Sequence, residues 1–443
     1  MVVQIFAVGG YSEIGRNMTA IKVDDEVVIC DMGIHLENYI RYTEDEDISR
    51  LTKEELIEQN AIPDISVIEG WKDKVKAIIP THAHLDHIGA IPFLSDEFNA
   101  PIICTPFSAA VVNAILKDAR MRIRNKILVL NPNSTYRLSE NITIEFINIT
   151  HSTPQTVMIA IHTKYGTIIY ANDFKLDMEP TLGKKPDFAR LKKLGDSGVL
   201  ALIVDSTYAY DERKMPSESV AKQMLKDVLL GTDATGKIIF VTTFSSHLAR
   251  LKSIIEFGKK LNRKIIFAGR SLAKYVKAGE ETAIINFSKD VEIVSFGNKI
   301  PNRLRRISDS ERGKYMVVVT GHQGESKAVL SRIASGSMGF KLKPGDHIVF
   351  SCTTIPTETN RQNRKVLEDM LKKHKVRIFK DIHVSGHAAR EDLRDLFNMV
   401  RPKNIIPAHG DLHMTTALKD LAEEMDYKNV YQIKEGECIT IQK

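Results

Sequence analysis

Cysteine, tryptophan and long apolar runs are all scarce in this chain. Its 443 residues hold four cysteines (Cys30, Cys104, Cys352, Cys438), no C-x-x-C pair and a single tryptophan. So sparse a set excludes a disulfide framework and points to reduced, buried thiols. No stretch approaches the roughly 20 apolar residues of a membrane span. The start, Met1-Val2-Val3-Gln4-Ile5-Phe6, lacks the basic opening and apolar core of a signal peptide. A cytoplasmic localisation and no membrane partner are therefore expected. Neither charge sign dominates: 62 Lys+Arg stand against 56 Asp+Glu, a net +6 that permits an anionic partner without demanding one. Aromatic residues, at 7%, announce no base-stacking platform. No repeat or low-complexity tract is present, so the length allows two or three ordinary folded domains.

What is present is organised in two grammars. Val2–Val8, Thr19–Val23 and Glu26–Cys30 are short β-rich runs around glycine turns and read as antiparallel hairpins. An acidic segment, 37–59, with Glu44-Asp45-Glu46-Asp47 at its centre, reads as a surface excursion carrying a short helix. Then come strand Val75–Ile79, helices Ile88–Glu97 and Ser108–Ala119, and strands Ile142–Ile149, Val157–His162, Thr167–Tyr170 and Leu200–Val204. From about Pro216 helices and strands alternate, as βαβ units of a parallel sheet do. No Pro/Ser-rich linker separates the two grammars. The fold class is α/β, with the parallel-sheet unit inserted into the first domain: 1–206, then 207–384 as the insert, then 385–443 returning.

The chemistry is concentrated in Thr81-His82-Ala83-His84-Leu85-Asp86-His87, which follows a buried-type strand. His82 and His84, two apart in an extended loop, point the same way. Asp86 and His87 are adjacent and diverge, as a second ion requires. About four N/O ligands satisfy one ion, so the cluster is too rich for one and suits two, roughly 3.5–4 Å apart. A chance group of surface histidines does not account for four ligand residues in six positions.

This H-x-H-x-D-H run resembles the hallmark of the metallo-β-lactamase superfamily. The rest of the chain resembles its β-CASP nucleases, and among these the ribonuclease J family in its short archaeal form. The similarity extends from Gly9-Gly10-Tyr11-Ser12-Glu13-Ile14-Gly15-Arg16-Asn17 to Ile405-Ile406-Pro407-Ala408-His409-Gly410. It implies a metallo-β-lactamase αββα sandwich interrupted by an inserted β-CASP domain of parallel-sheet α/β type. By the same resemblance one zinc takes His82, His84, His151 and Asp173, and the other takes Asp86, His87, His409 and the shared Asp173. Asp31 stands behind them, hydrogen-bonded to a histidine ligand. The implied cofactor is two Zn2+ per subunit, with Mn2+ or Mg2+ as ions that also support activity.

Metal ligands alone do not choose between a phosphodiester, a thioester and a lactam. Val204-Asp205-Ser206-Thr207-Tyr208 and His383-Val384-Ser385-Gly386-His387-Ala388 match β-CASP motifs, the second in its ribonuclease J wording. They imply that Asp205 and His387 manage the proton on a departing 3′-oxygen, with Asp86 in the catalytic set. Ser385, Gly386 and His387 offer an anion nest, and Arg270, between a strand and a helix, suits a phosphate. The expected function is a two-zinc 5′-to-3′ exoribonuclease on single-stranded, 5′-monophosphorylated RNA, acting in RNA processing and decay. Endonucleolytic cleavage is the alternative, and a small-molecule metallohydrolase, which lacks the inserted segment, a weaker one. A homodimer is the assembly expected.

Overall fold

The computed structural model describes residues 3–43, 51–295, 297–355 and 357–441, so Glu44-Asp45-Glu46-Asp47 lie outside the described residues. Two compact units emerge. One comprises Met1–Met178, Lys184–Met215 and Ser385–Lys443; the other comprises Glu179–Gly183 and Pro216–Val384. Residues 207–215, placed above in the insert, stay with the first unit. There Arg390 N donates to Asp211 O (3.0 Å) and Met215 N to Asp392 Oδ2 (2.8 Å).

The first unit is built on two sheets. One runs, in spatial order, Cys438–Ile441, Val3–Gly9, Met18–Val23, Glu26–Cys30, Val75–Ile79, Ile102–Cys104, Ile127–Val129. The other runs Ile405–Ala408, Val199–Asp205, Gly166–Ala171, Val157–Thr163, Thr143–Asn148, Thr135–Arg137. Both are rich in Ile and Val, whose branched side chains fit a pleated, buried surface. Ile5, Ile21, Val28 and Ile79 from one sheet meet Phe146, Ile159, Ile168 and Ile203 from the other in a single core. Helices Phe188–Ser197, Arg390–Val400 and Leu412–Glu424 set Leu191, Leu396 and Leu418 against Ile169 and Leu202 on the second sheet's other face. Ile29, Ile78 and Ile102, which do not join the inter-sheet core, are also fully buried. Helix Pro106–Ala119 adds Phe107, Val111 and Leu116 to the buried set.

Strand direction decides where chemistry can sit. Glu26–Cys30 and Val75–Ile79 are parallel, as are Gly166–Ala171, Val199–Asp205 and Ile405–Ala408. Their carboxyl ends release Asp31, Thr81, Asn172-Asp173, Asp205 and His409 at matching ends, the place where α/β sheets bind ligands. The expected helix Ile88–Glu97 is broken instead into Leu85–Ile88, Ile91–Leu94 and a 3-10 turn, Ser95–Glu97. Pro92 begins a new helix because it has no N–H with which to continue the old one. Consequently Asp86 and His87 belong to a helical turn, not to the loop before it.

A charged cluster holds the outer strands. Glu145 Oε2 accepts from Arg190 Nη2 (2.6 Å) and His162 Nε2 (2.7 Å), and Oε1 accepts from Arg190 Nε. Burial opposes ionisation of Glu145, but the hydrogen bonds from His162 and Arg190 outweigh it and bring the carboxyl down to about 2. A depressed folded-state pKa stabilises above the unfolded value and is lost as pH falls through the folded one. E145Q is expected to cost about 1–2 kcal/mol at pH 7, toward the low end for charged hydrogen bonds because both partners keep some water. The deficit should shrink as pH falls from about 4 toward about 2. Urea melts of both proteins at neutral and acid pH read this; a penalty unchanged at low pH would remove the ionised cluster as its cause.

The second unit is a six-stranded, wholly parallel sheet, in the order Val291–Val294, Lys264–Ala268, Tyr315–Val319, Ile239–Thr242, His347–Phe350, Arg377–Phe379. Tyr-Met-Val-Val-Val at its centre is buried on both faces, as parallel strands under helices are. The fully buried Arg250 forks onto Glu218 Oε1 (2.6 Å) and Oε2 (2.7 Å), and Nη1 donates to Ser351 O (2.9 Å) and Ile382 O (3.2 Å). Among the described residues no helix is long and apolar enough to cross a membrane.

Candidate metal centre

Three groups of ligand atoms converge in the first unit, two with four ligands each and a smaller one of Asp173, Asp205 and His387. The first is His82, His84, His151 and Asp173. Here His84 Nδ1 stands 3.0 Å from His82 Nε2 and 3.1 Å from His151 Nε2, while Asp173 Oδ2 lies 3.5 Å from His82 and 3.4 Å from His151. The second group is Asp86, His87, Asp173 and His409. In it Asp173 Oδ1 lies 3.3 Å from His87 Nε2 and 3.2 Å from His409 Nε2, and Asp86 Oδ2 lies 3.5 and 3.8 Å from the same two nitrogens. The two oxygens of one carboxylate thus face two different histidine sets.

The residues fit metal ions. A tetrahedral ion with bonds of about 2.0–2.1 Å separates its ligand atoms by about 3.3 Å, close to the spacings above. Asp173 Oδ1 is buried and has no hydrogen-bond partner. Burial holds the His82 and His151 imidazoles well below their ordinary pKa and brings His84 down to about 4, so all three are neutral, as ligands must be. Burial would do the same to His87, but the carboxylates of Asp173, Asp31 and Asp86 outweigh it and raise it. That half of the site concentrates negative charge and calls for a cation.

Four of the five ligand rings are oriented through the nitrogen turned away from the centre. His87 Nδ1 donates to Asp31 Oδ2 (2.8 Å), His151 Nδ1 to Gly386 O (2.8 Å) and His409 Nδ1 to Asn17 Oδ1 (2.8 Å). Thr81 Oγ1 accepts from His82 Nδ1 (3.0 Å) and donates to Asp31 (2.9 Å). Such partners fix tautomer and direction. The backbone is strained to reach these positions: Asp31, Asp173 and His409 have φ of 61°, 49° and 52°. Left-handed backbone costs an L-residue about 1–2 kcal/mol, and three such residues at one site mark a place where geometry outweighs ease of folding.

Beside the ligands, His387 Nδ1 contacts Asp205 Oδ2 (2.8 Å), with Nε2 3.9 Å from Asp173 Oδ2. Burial works against the charged ring, yet the carboxylates of Asp173 and Asp205 prevail and raise its pKa to about 9. Ser385 Oγ accepts from His387 N (3.1 Å). Gly386 allows the close approach: a Cβ there would sit 2.3 Å from Ser152 Oγ and 3.0 Å from the His151 ring. The structure therefore brings together Asp31, His82, His84, Asp86, His87, His151, Asp173, Asp205, Ser385, Gly386, His387 and His409. Arg270 belongs to the second unit, where it opens helix Arg270–Glu281 with its side chain exposed. Thr81 and Asn17 were missed as orienting residues. Their signal was position alone, one beside the histidine run and the other ending Gly-Arg-Asn.

Three family models match the chain: the metallo-beta-lactamase superfamily over residues 15–201, the beta-CASP domain of ribonuclease J over 235–370, and a Zn-dependent metallo-hydrolase RNA specificity domain over 373–432. The chain is 43% identical to ribonuclease J of Methanocaldococcus jannaschii, with 100% of both chains covered. It is 40% identical to ribonuclease J of Pyrococcus abyssi, covering 99% of this chain and 97% of that one. A crystal structure of a protein of unknown function from Enterococcus faecalis superposes with a TM-score of 0.68 at 17% identity, covering 99% of this chain and 100% of that one, which shows a shared fold. With the fold, the ligand geometry and full-length identity in agreement, this chain belongs to the ribonuclease J family of the metallo-β-lactamase superfamily.

Proposed function

We propose that this family member, a nuclease acting on RNA, is a two-zinc 5′-to-3′ exoribonuclease. It would degrade single-stranded RNA from a 5′-monophosphate end and release nucleoside 5′-monophosphates. The observation that carries the two-ion reading is Asp173, whose two carboxylate oxygens face separate histidine sets at 3.2–3.5 Å. His82, His84, His151 and Asp173 Oδ2 would hold one zinc; Asp86, His87, His409 and Asp173 Oδ1 would hold the other. Bound there, the pair supplies nucleophile activation at neutral pH and charge neutralisation at phosphorus.

The remaining work falls to the chain's own side chains. Asp31, Thr81, Asn17 and the Gly386 carbonyl keep the imidazoles aimed inward without moving during the reaction. His387 is the general acid: its Nε2–H passes a proton to the departing 3′-oxygen while Asp205 holds Nδ1. Ser385 Oγ and the Gly386 backbone are proposed to receive a substrate phosphate, and Arg270 to contact another.

The test uses one RNA with a 5′-monophosphate, labelled at either end, with D86A as control. Mononucleotide should appear at once from the 5′ label while the 3′-labelled strand shortens progressively, and D86A should release neither. Discrete internal fragments that ignore the 5′ group would replace this reading with endonucleolytic cleavage. Absence of metal-dependent cleavage would overturn both.

A further inference from the structure

A row of aromatic rings leads outward from the candidate centre, wholly within the first unit. His409 and His387 stack at 5.8 Å between centroids, His387 and Tyr208 follow at 6.0 Å, Tyr208 and Tyr210 at 6.1 Å with planes 29° apart, and Tyr210 and His413 at 5.2 Å. Local structure makes the row. Ala209 between the tyrosines is fully buried, while the rings of Tyr208 and Tyr210 stack on one another. Ala209 N donates to Ser206 O (3.0 Å) and Asp211 N to Tyr208 O (3.0 Å), and Tyr208 bridges Ala389. His413 stands at the start of helix Leu412–Glu424, whose first turn Asp411 caps. Tyr210 is 42% exposed although it is large and flat, and His413 is exposed too.

The charges around Tyr210 say which part of a nucleotide this surface reads. Its close charged neighbours are Asp211, Asp411 and Arg213, and Arg213 is already paired with Asp211 at 2.8 Å. With Arg213 and Asp211 neutralising each other, the charge left beside the ring is the Asp411 carboxylate, which disfavours a phosphate there. An uncharged π-face is what the row offers, and every base has one to match it.

We propose that Tyr210, backed by Tyr208 and His413, is a nucleobase-stacking subsite that takes an unpaired base of the RNA within two nucleotides of the cleaved bond. The proposal rests on the nuclease reading above and adds to it a positioning residue for the substrate.

The test measures kcat/KM for release of the first nucleotide from short 5′-phosphorylated RNAs, each with one abasic nucleotide at a different position, using metal-loaded wild type, Y210A, Y210F and Y210W. On the intact RNA Y210A should lose about 5- to 150-fold, the loss expected when one base–aromatic stack is removed. Y210F and Y210W should keep wild-type rates. One abasic position should cost the wild type the same factor and cost Y210A nothing further. The Y210A deficit should not change with salt, since no phosphate contact is lost. A loss spread evenly over all abasic positions, or additive with Y210A, would overturn the subsite while cleavage of intact RNA upheld the nuclease. Failure of the wild type to cleave intact RNA would overturn the nuclease reading and the subsite with it.

Discussion

D173N is expected to remove metal binding and RNA cleavage together. Asparagine keeps the shape of the side chain but replaces one oxygen with NH2, which cannot face a cation, and it removes the charge that serves both histidine sets. Asp173 is 1% exposed, so bulk solvent does not restore the lost charge. Cleavage should fall by more than about a thousandfold, beyond the 10²–10³ typical of losing one preorganised donor, since both halves of the site fail at once. Asparagine tolerates left-handed backbone, so φ 49° at this position adds no new strain and the fold should survive. Elemental analysis, the rate and a thermal melt separate the outcomes. Activity within tenfold of wild type would show that the carboxylate does not bridge.

The second large effect is expected from G33A, through packing alone. Residues 31–34 run directly beneath the turn that carries Asp86 and His87: Met32 N donates to His87 O (2.7 Å), Ile34 N to Leu85 O (3.0 Å) and Asn17 N to Asp86 O (3.1 Å). A Cβ on Gly33 would lie 1.6 Å from Asp86 O and 2.0 Å from its carbonyl carbon. Backbone cannot rotate away as a side chain can, so the turn must move bodily. The cost should sit at or above the top of the roughly 1–3 kcal/mol of ordinary overpacking. Even folded protein should lose ion affinity at the Asp86–His87–His409 end. Urea denaturation with metal titration checks this, and wild-type stability in G33A would contradict the close contact.

Much of this site was legible because its residues are local or stand at strand exits. His82 to His87 declare themselves as a run, and His151, Asp173 and His409 each follow an apolar strand, so resemblance could place them. What the chain did not disclose depends on three-dimensional closure. The division of the two Asp173 oxygens between histidine sets is a matter of one side chain's rotation. The left-handed turns at Asp31, Asp173 and His409 are only weakly marked, because Asp and His visit that region more than other residues but seldom adopt it. Ile102–Cys104, Ile127–Val129 and Thr135–Arg137, three residues each, are too short to carry a period. The helix after His87 read as continuous because its apolar spacing survives the interruption at Gly89 and Pro92. The aromatic row was hidden by its modest aromatic content and because His413 meets Tyr210 from across the chain.

Whether two ions share Asp173 is tested most directly by anomalous diffraction at the zinc edge from zinc-loaded crystals. Two peaks are predicted per chain, one among His82, His84 and His151 and the other among Asp86, His87 and His409, with the Asp173 carboxylate between them. A single peak in fully active, zinc-saturated protein, or a second peak remote from Asp173, would contradict it.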